Sequence, residues 1–169
     1  MIRNTAREIA IHLSYELSFS DLPVEELLSR RLTPEAFAAL AEEEPLYQEA
    51  PNAKQAEYIR RLVKGVAEHG AELDGYIARY AKGWSFARIP RMAAAIMRTA
   101  MYEVLYMPAI PNSAAINEAV EIAKNYEPAE VVSFINGILG SFVRAEFADS
   151  APKPEKKEEE AAGPEEPEE

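Results

Sequence analysis

Two apolar patterns with the period of an α-helix flank a short hinge in the C-terminal third of the chain. Before the hinge, apolar side chains fall at positions i, i+3, i+4 and i+7: Ile116, Ala119, Val120 and Ala123. After Pro128 the same spacing returns through Val131, Phe134, Ile135, Ile138, Leu139 and Phe142. The pattern predicts a helical hairpin over residues 111–140 whose two helices share one core.

The N-terminal half shows the same periodicity, interrupted by short breaks. A first helix, which should stop between Ser18 and Pro23, carries an apolar stripe made of Ile9, Ala10, Leu13 and Leu17. Thr33 before Pro34 is a typical N-cap, so a short helix through about Leu40 is predicted. Residues 42–51 should form a break.

Two further helices are expected before residue 84. Asn52 can cap a longer helix that ends near Gly70, with inward side chains at Ala56, Ile59, Val63 and Val66. Another helix begins at Ala71, and Gly83 is well placed to end it. Because no period-two alternation bounded by hairpin turns occurs, no sheet is expected and the predicted fold class is all-α.

Three local features carry further expectations about packing. Trp84 and Phe86 lie in a connector and are expected to plug the core. Arg98, in the next helix, is expected to contact Glu103 or Glu118 internally. The apolar spacing continues through Asn136 and Gly137, so the helix should too, and the glycine should let a neighbouring helix approach closely.

Composition divides the chain near residue 149. Residues 150–169 contain three Lys and eight Glu, a net charge of −5, and no aromatic or β-branched residue. Such a segment cannot bury enough apolar surface to offset the entropy of ordering, so a disordered acidic tail is predicted. Residues 1–149 form the predicted helical domain and carry the remaining −6 of the total charge of −11.

Several classes of protein find no support in the sequence. No apolar run reaches the ~18 residues of a membrane span, and the N-terminus lacks the apolar region of a signal peptide, so a cytoplasmic location is expected. The chain has no cysteine, and its two histidines, His12 and His69, do not form an HExxH metal-binding motif. Nucleotide and hydrolase motifs are absent as well. A binding protein without catalytic residues, metal or cofactor is therefore predicted.

Four segments resemble the NusB family of transcription antitermination factors. The hairpin segments IPNSAAINEAVEIAKNY and FINGILG resemble the family's C-terminal signature. RMAAAIMRTAMYEVLY and AREIAIHLSYEL are similar to its preceding helix and its first helix. The resemblance implies two small helical bundles packed crosswise. It also implies a factor that binds boxA-type RNA of ribosomal RNA leaders with a ribosomal protein acting as NusE, within the RNA polymerase antitermination complex.

The resemblance also suggests which residues bind RNA. The family's first helix opens with an arginine-rich segment that contacts boxA, of which Arg3 and Arg7 remain here. Tyr15, two turns after Arg7, could add a ring on which a base stacks. Further contacts are expected at matching positions in and after the hinge: Lys124, Tyr126 and Phe134. Replacing Arg7 is expected to weaken RNA binding at little cost in stability.

The depleted arginines and the acidic body leave alternatives open. RNA binding should need the basic partner, because sequence-independent affinity for phosphates comes from Lys and Arg. A helical adaptor that binds protein with little or no RNA affinity is the main alternative, and the RNA-binding portion of a ribosomal RNA methyltransferase is a weaker one. The alternative purpose of Gly137 is to expose backbone or Asn136 to RNA. The tail could compete with RNA or act only as a solubilising spacer.

Overall fold

A computed structural model describes residues 1–147, most of which are helical. Its helices are α1 Arg3–Leu17, α2 Val24–Arg31, α3 Pro34–Leu40, α4 Ala53–Glu68, α5 Gly70–Tyr80, α6 Arg91–Tyr106, α7 Asn112–Ala123 and α8 Ala129–Phe147. Two 3-10 turns lie in the connections, at Pro45–Tyr47 and Phe86–Arg88. The predicted acidic tail lies outside the described residues, so the boundary at residue 149 stays a prediction.

The helices pack as two groups that share α6. In the N-terminal group, α1 packs against α4 and α2. In the C-terminal group, α7 and α8 pack against each other and α5 packs against α8. Helix α6 contacts members of both groups and buries most of its length. Residues 1–147 contain no strand, so the all-α, two-bundle prediction is confirmed. Within the same residues, no helix has the length and apolar character needed to cross a bilayer.

The predicted helix starts are confirmed at both capping residues. The Thr33 hydroxyl accepts a hydrogen bond from the Ala36 amide at 3.0 Å, with Pro34 at the first helical position. Asn52 and Gln55 form a reciprocal capping box at the start of α4, with both bonds 2.8 Å long. The first turn of a helix contains backbone amides without a partner in the helix, and a short polar side chain accepts a hydrogen bond from one of them. For this reason these helix starts can be predicted from the sequence.

Helix α2 is absent from the sequence prediction. Over its eight residues only Leu27 and Leu28 are buried, which is too few to make a period visible. Its charges do suit a helix, because glutamates occupy the first turn and arginines the last. That arrangement complements the helix dipole and was the available signal.

The connector between α5 and α6 contradicts the sequence-based expectation. Trp84 and Phe86 do not plug the core, since they are 39% and 36% exposed. Helix α5 ends at Tyr80, and Gly83 lies in the following turn with φ of +84°. That conformation favours glycine and makes a turn just before the two exposed rings.

The expected role of Gly137 as a packing glycine is also wrong. The helix does continue through Asn136 and Gly137, but a Cβ on Gly137 would meet nothing within 4 Å. The close approach occurs instead at Gly65 in α4, where an added Cβ would overlap the ring of Tyr102. The ring of Tyr102 in α6 therefore packs directly against the backbone of α4 at Gly65.

These two glycines generate a paired prediction about stability. Gly65→Ala should lower the free energy of unfolding by about 1–3 kcal/mol, because Tyr102 is buried and must shift. Gly137→Ala should raise it by roughly 0.5–1 kcal/mol, because alanine restricts the unfolded chain and meets no neighbour. Urea unfolding of both variants measures the two effects. Equal destabilisation by both would contradict the assignment of Gly65 as the close approach.

Candidate nucleic-acid interface

Arg7 forms a buried ion pair at the centre of the protein. Its Nε donates to Glu103 Oε1 at 2.8 Å, and one terminal nitrogen donates to Oε2 at 3.1 Å. The Tyr58 hydroxyl donates to the same Oε2 at 2.5 Å. The other terminal nitrogen of Arg7 donates to Asn4 at 3.0 Å. Helices α1, α4 and α6 therefore meet at one carboxylate.

The electrostatics of this pair keep Arg7 charged. Burial alone would lower the pKa of Arg7, but the adjacent Glu103 carboxylate outweighs it and the pKa is raised. Burial, and then the Glu103 charge, raises the pKa of the Tyr58 phenol well above its usual value. The hydroxyl therefore remains a donor to Glu103.

This environment contradicts the expectation that Arg7 is an accessible RNA contact. The Arg7 side chain is only 3% exposed and that of Glu103 is fully buried. A guanidinium already occupied by a carboxylate inside the protein has no free edge for a phosphate. The apolar stripe predicted for α1 does not include Arg7, but the face of α1 that is buried in the structure is wide enough to include it. Its role is to hold α1 in position.

Replacing Arg7 should therefore cost stability. Arg7→Ala leaves the Glu103 carboxylate buried without its cation, so the free energy of unfolding should fall by about 3–5 kcal/mol. Arg30→Ala, which removes an exposed pair with Glu26, is the matched control and should change it by less than about 0.5 kcal/mol. Denaturant unfolding measures both. A stable, fully folded Arg7→Ala protein would show that the ion pair is dispensable.

Arg3 occupies the first turn of α1 and is half-buried. Within residues 1–147 its buried Nε has no hydrogen-bond partner. The backbone just before it is fixed, because the Met1 amino group pairs with Glu49 at 2.6 Å and Gln55 donates to the Met1 carbonyl at 2.7 Å. Of the two arginines predicted to bind RNA, Arg3 is the one whose side chain stays partly accessible.

The α7–α8 hinge is attached to α1 through Tyr126. The Tyr126 hydroxyl lies within hydrogen-bond distance of a Glu8 carboxylate oxygen and is 2.6 Å from His12 Nε2. Because the hydroxyl has one proton and the carboxylate can only accept, Tyr126 donates to Glu8 and His12 Nε2 donates to Tyr126. His12 Nδ1 then accepts from the Tyr47 hydroxyl at 3.3 Å. This network requires a neutral imidazole.

Burial is the main cause of the pKa shifts in this network. It lowers the pKa of His12 from its usual value of 6.5, although Glu8 opposes the shift. Burial also raises the pKa of Tyr126, and the bond to Glu8 adds to that effect. Both groups are therefore neutral at neutral pH, as the hydrogen bonds require.

The His12 network predicts a loss of stability on acidification. Below pH 6.5 the unfolded histidine binds a proton before the folded one does, because the folded pKa is lower. The contribution of His12 to the free energy of unfolding is thus fully present above pH 6.5 and falls as pH drops towards the folded pKa. The free energy of unfolding, measured with urea at about pH 7.5 and pH 5.5, should differ less between the two pH values for His12→Gln than for the unaltered protein. His69→Gln is the control. An unchanged difference in His12→Gln would exclude this source of pH dependence.

Tyr15 lies on the outer side of α1, and Lys124 lies at the hinge between α7 and α8. Tyr15 is rotated by about 80° from Arg7 around the helix and follows Glu8 and His12 at i+7 and i+3. Its half-buried ring packs edge-to-face against Phe19, with centroids 5.0 Å apart. Lys124 is exposed and pairs with Glu121 at 2.6 Å. Glu8, His12 and Tyr15 thus form one strip along α1, which Tyr126 of the hinge contacts, whereas Arg7 lies outside it.

Phe134 belongs to a different part of the surface. Its half-buried ring packs against Trp84, with centroids 4.3 Å apart and planes inclined by 37°. It therefore pairs with the exposed connector between α5 and α6, and neither ring makes a ring contact with Tyr126. The sequence reading selected Phe134 by family resemblance but missed Trp84, because an isolated connector tryptophan gives no periodic signal.

The remaining internal polar contact also differs from the expectation. Arg98 contacts neither Glu103 nor Glu118. Its Nε donates to Asp74 of α5 at 2.6 Å. Within residues 1–147, no group of three or more His, Asp or Glu side chains is arranged to hold a metal ion. The arrangement can bind through charge, hydrogen bonds and stacked rings.

The fold is that of an all-helical protein built from two packed groups of helices. The chain belongs to the NusB family, whose model matches residues 4–144. The Transcription antitermination protein NusB of Acetivibrio thermocellus is 41% identical over 147 residues, which cover 87% of this chain and 92% of that protein. The NusB of Symbiobacterium thermophilum is 37% identical, over 85% of this chain and 90% of that protein.

Solved structures show the same fold. The structure of T. maritima NusB has a TM-score of 0.72 and 28% identity, and the match covers 92% of this chain and 96% of that one. A structure of antitermination factors NusB and NusE in complex with dsRNA gives a TM-score of 0.66 at 22% identity, over 85% of this chain and 96% of that one. The family resemblance noted in the sequence is thereby confirmed.

Proposed function

We propose that this protein is a transcription antitermination factor that binds boxA-type RNA together with a ribosomal protein acting as NusE. The observation that carries the proposal is the 41% identity to a relative named Transcription antitermination protein NusB, over 92% of that relative's length. The function is one of binding within an RNA polymerase antitermination complex in the cytoplasm, without catalysis.

The strip along α1 and the cations near it supply the chemistry for an RNA contact. Arg3 provides a cation at the start of the helix, on a different face from Tyr15, and Lys124 provides another at the hinge. Tyr15 and Tyr126 provide aromatic rings along the same strip, each of which could support a base at about 1–3 kcal/mol. Phe134, on a separate part of the surface beside Trp84, adds a third ring. Arg7 supports this surface from inside by fixing α1.

The charge of the protein explains why a partner is needed. Residues 1–149 carry a net −6, and the burial of Arg7 removes one of the few cations near the strip. Glu8 also lies beside Tyr126, where it repels phosphates. A basic partner bound next to the strip would supply the missing attraction, because affinity for phosphates rises with the number of cations that contact them.

The test is a titration of a labelled boxA-type RNA followed by fluorescence anisotropy. Binding should be weak with this protein alone and at least tenfold tighter with the NusE partner present, and it should weaken as salt rises. NusE alone and a scrambled RNA are the controls. If the partner binds this protein but leaves RNA affinity unchanged, the protein is a helical adaptor, the reading that its acidic charge favours.

A further inference from the structure

A second cationic and aromatic surface lies away from α1. An open cleft of about 800 Å³ runs between the end of α5 and the outer face of α8. We call it the α5–α8 cleft. Its lining includes Arg79 and Lys82 on one side and Phe134, Gly137, Ser141 and Arg144 on the other. None of these positions except Phe134 belongs to the predicted RNA site.

The α8 wall of the cleft forms a continuous strip. Its four members lie at i, i+3, i+7 and i+10 and therefore face the same way. At 1.5 Å per residue, the strip from Phe134 to Arg144 is about 15 Å long. The middle positions are Gly137 and Ser141, and a Cβ on Gly137 would meet nothing within 4 Å. The small side chains leave room for a ligand along the wall.

The cleft is positive on an otherwise acidic protein. Arg79 pairs with Glu146 at 2.7 Å, and the Tyr80 hydroxyl also donates to Glu146, so that carboxylate is engaged. Arg144 donates to the Ser141 hydroxyl at 3.3 Å. Within residues 1–147 neither Lys82 nor Arg144 forms an ion pair, and both are exposed. Two uncompensated cations therefore flank the opening.

The ring of Phe134 lines one end of the cleft. Trp84 packs on Phe134 and remains 39% exposed. A partly exposed ring held in place by a second ring offers a preformed face for a planar base, so that little order is lost when a base stacks. Cations along the wall and a stacking face at its end are the two features by which proteins hold single-stranded nucleic acid.

We propose that the α5–α8 cleft binds a single-stranded segment of RNA, with phosphates at Lys82 and Arg144 and a base stacked on Trp84. The inference rests on the proposed RNA-binding function and extends it, because it places a second stretch of the same strand beyond the strip on α1. The cleft contacts backbone phosphates and the face of a base, so it contributes affinity without reading sequence.

The test uses the full chain with its NusE partner and a boxA-type RNA that carries single-stranded nucleotides on both sides of boxA. Lys82→Ala/Arg144→Ala should weaken binding roughly 25-fold at about 0.1 M salt and reduce the salt slope by about 1.4, the value for two single-strand phosphate contacts. Arg30→Ala/Lys64→Ala removes the same charge from exposed pairs on α2 and α4 and should have much less effect.

Trp84 gives a second readout because it is the only tryptophan of the chain. RNA should quench its fluorescence in the same concentration range as the anisotropy change, after subtraction of a Trp84→Phe complex. Equal losses in the two double variants, or no quenching at saturation, would overturn the cleft while the proposed function stands. No RNA binding by the unaltered protein with NusE would overturn both.

Discussion

The carboxylate of Glu103 lies in the centre of the protein, where an ionised group is tolerated only if its charge and its lone pairs are satisfied. Arg7 supplies the opposite charge in a two-pronged contact, and Tyr58 supplies a hydroxyl proton. Each partner comes from a different helix, so the three helices can meet in only one register. Apolar packing alone would tolerate small rotations of α1, whereas the fork of a guanidinium on a carboxylate does not.

The register set at Glu103 determines what α1 presents outward. With Arg7 turned inside, the residues rotated from it by about 80–140° in one direction form the strip, namely Glu8, His12 and Tyr15. The hinge closes on that strip through Tyr126, which also places the start of α8. The proposed RNA interface is thus built on a helix that a buried ion pair fixes from inside the protein. Arg7 therefore connects the stability of the fold to the position of the proposed interface.

Local signals in the sequence predicted most helices, because caps such as Thr33 and Asn52 act within one turn. Side-chain roles that depend on partners distant in sequence were not predictable in this way. Arg7 lies 96 residues from Glu103, and its position beside an apolar stripe looks the same whether it is paired inside or solvated. Trp84 was expected inside on hydrophobicity alone, but it follows the turn at Gly83 and is 39% exposed. Family resemblance suggested RNA contacts on α1 and at the hinge, whereas the cleft on α8 is visible only in the packed structure.

The sharing of α6 between the two groups of helices has a consequence for how the chain can be divided. Helix α6 is buried on several sides, by α1 and α4 from one group and by α5, α7 and α8 from the other. A cut on either side of α6 would leave one fragment without its central helix and the other with a bare apolar face. The two bundles are therefore not modules that evolution or an engineer could exchange separately, and the chain is expected to be inherited, swapped and fused as one unit.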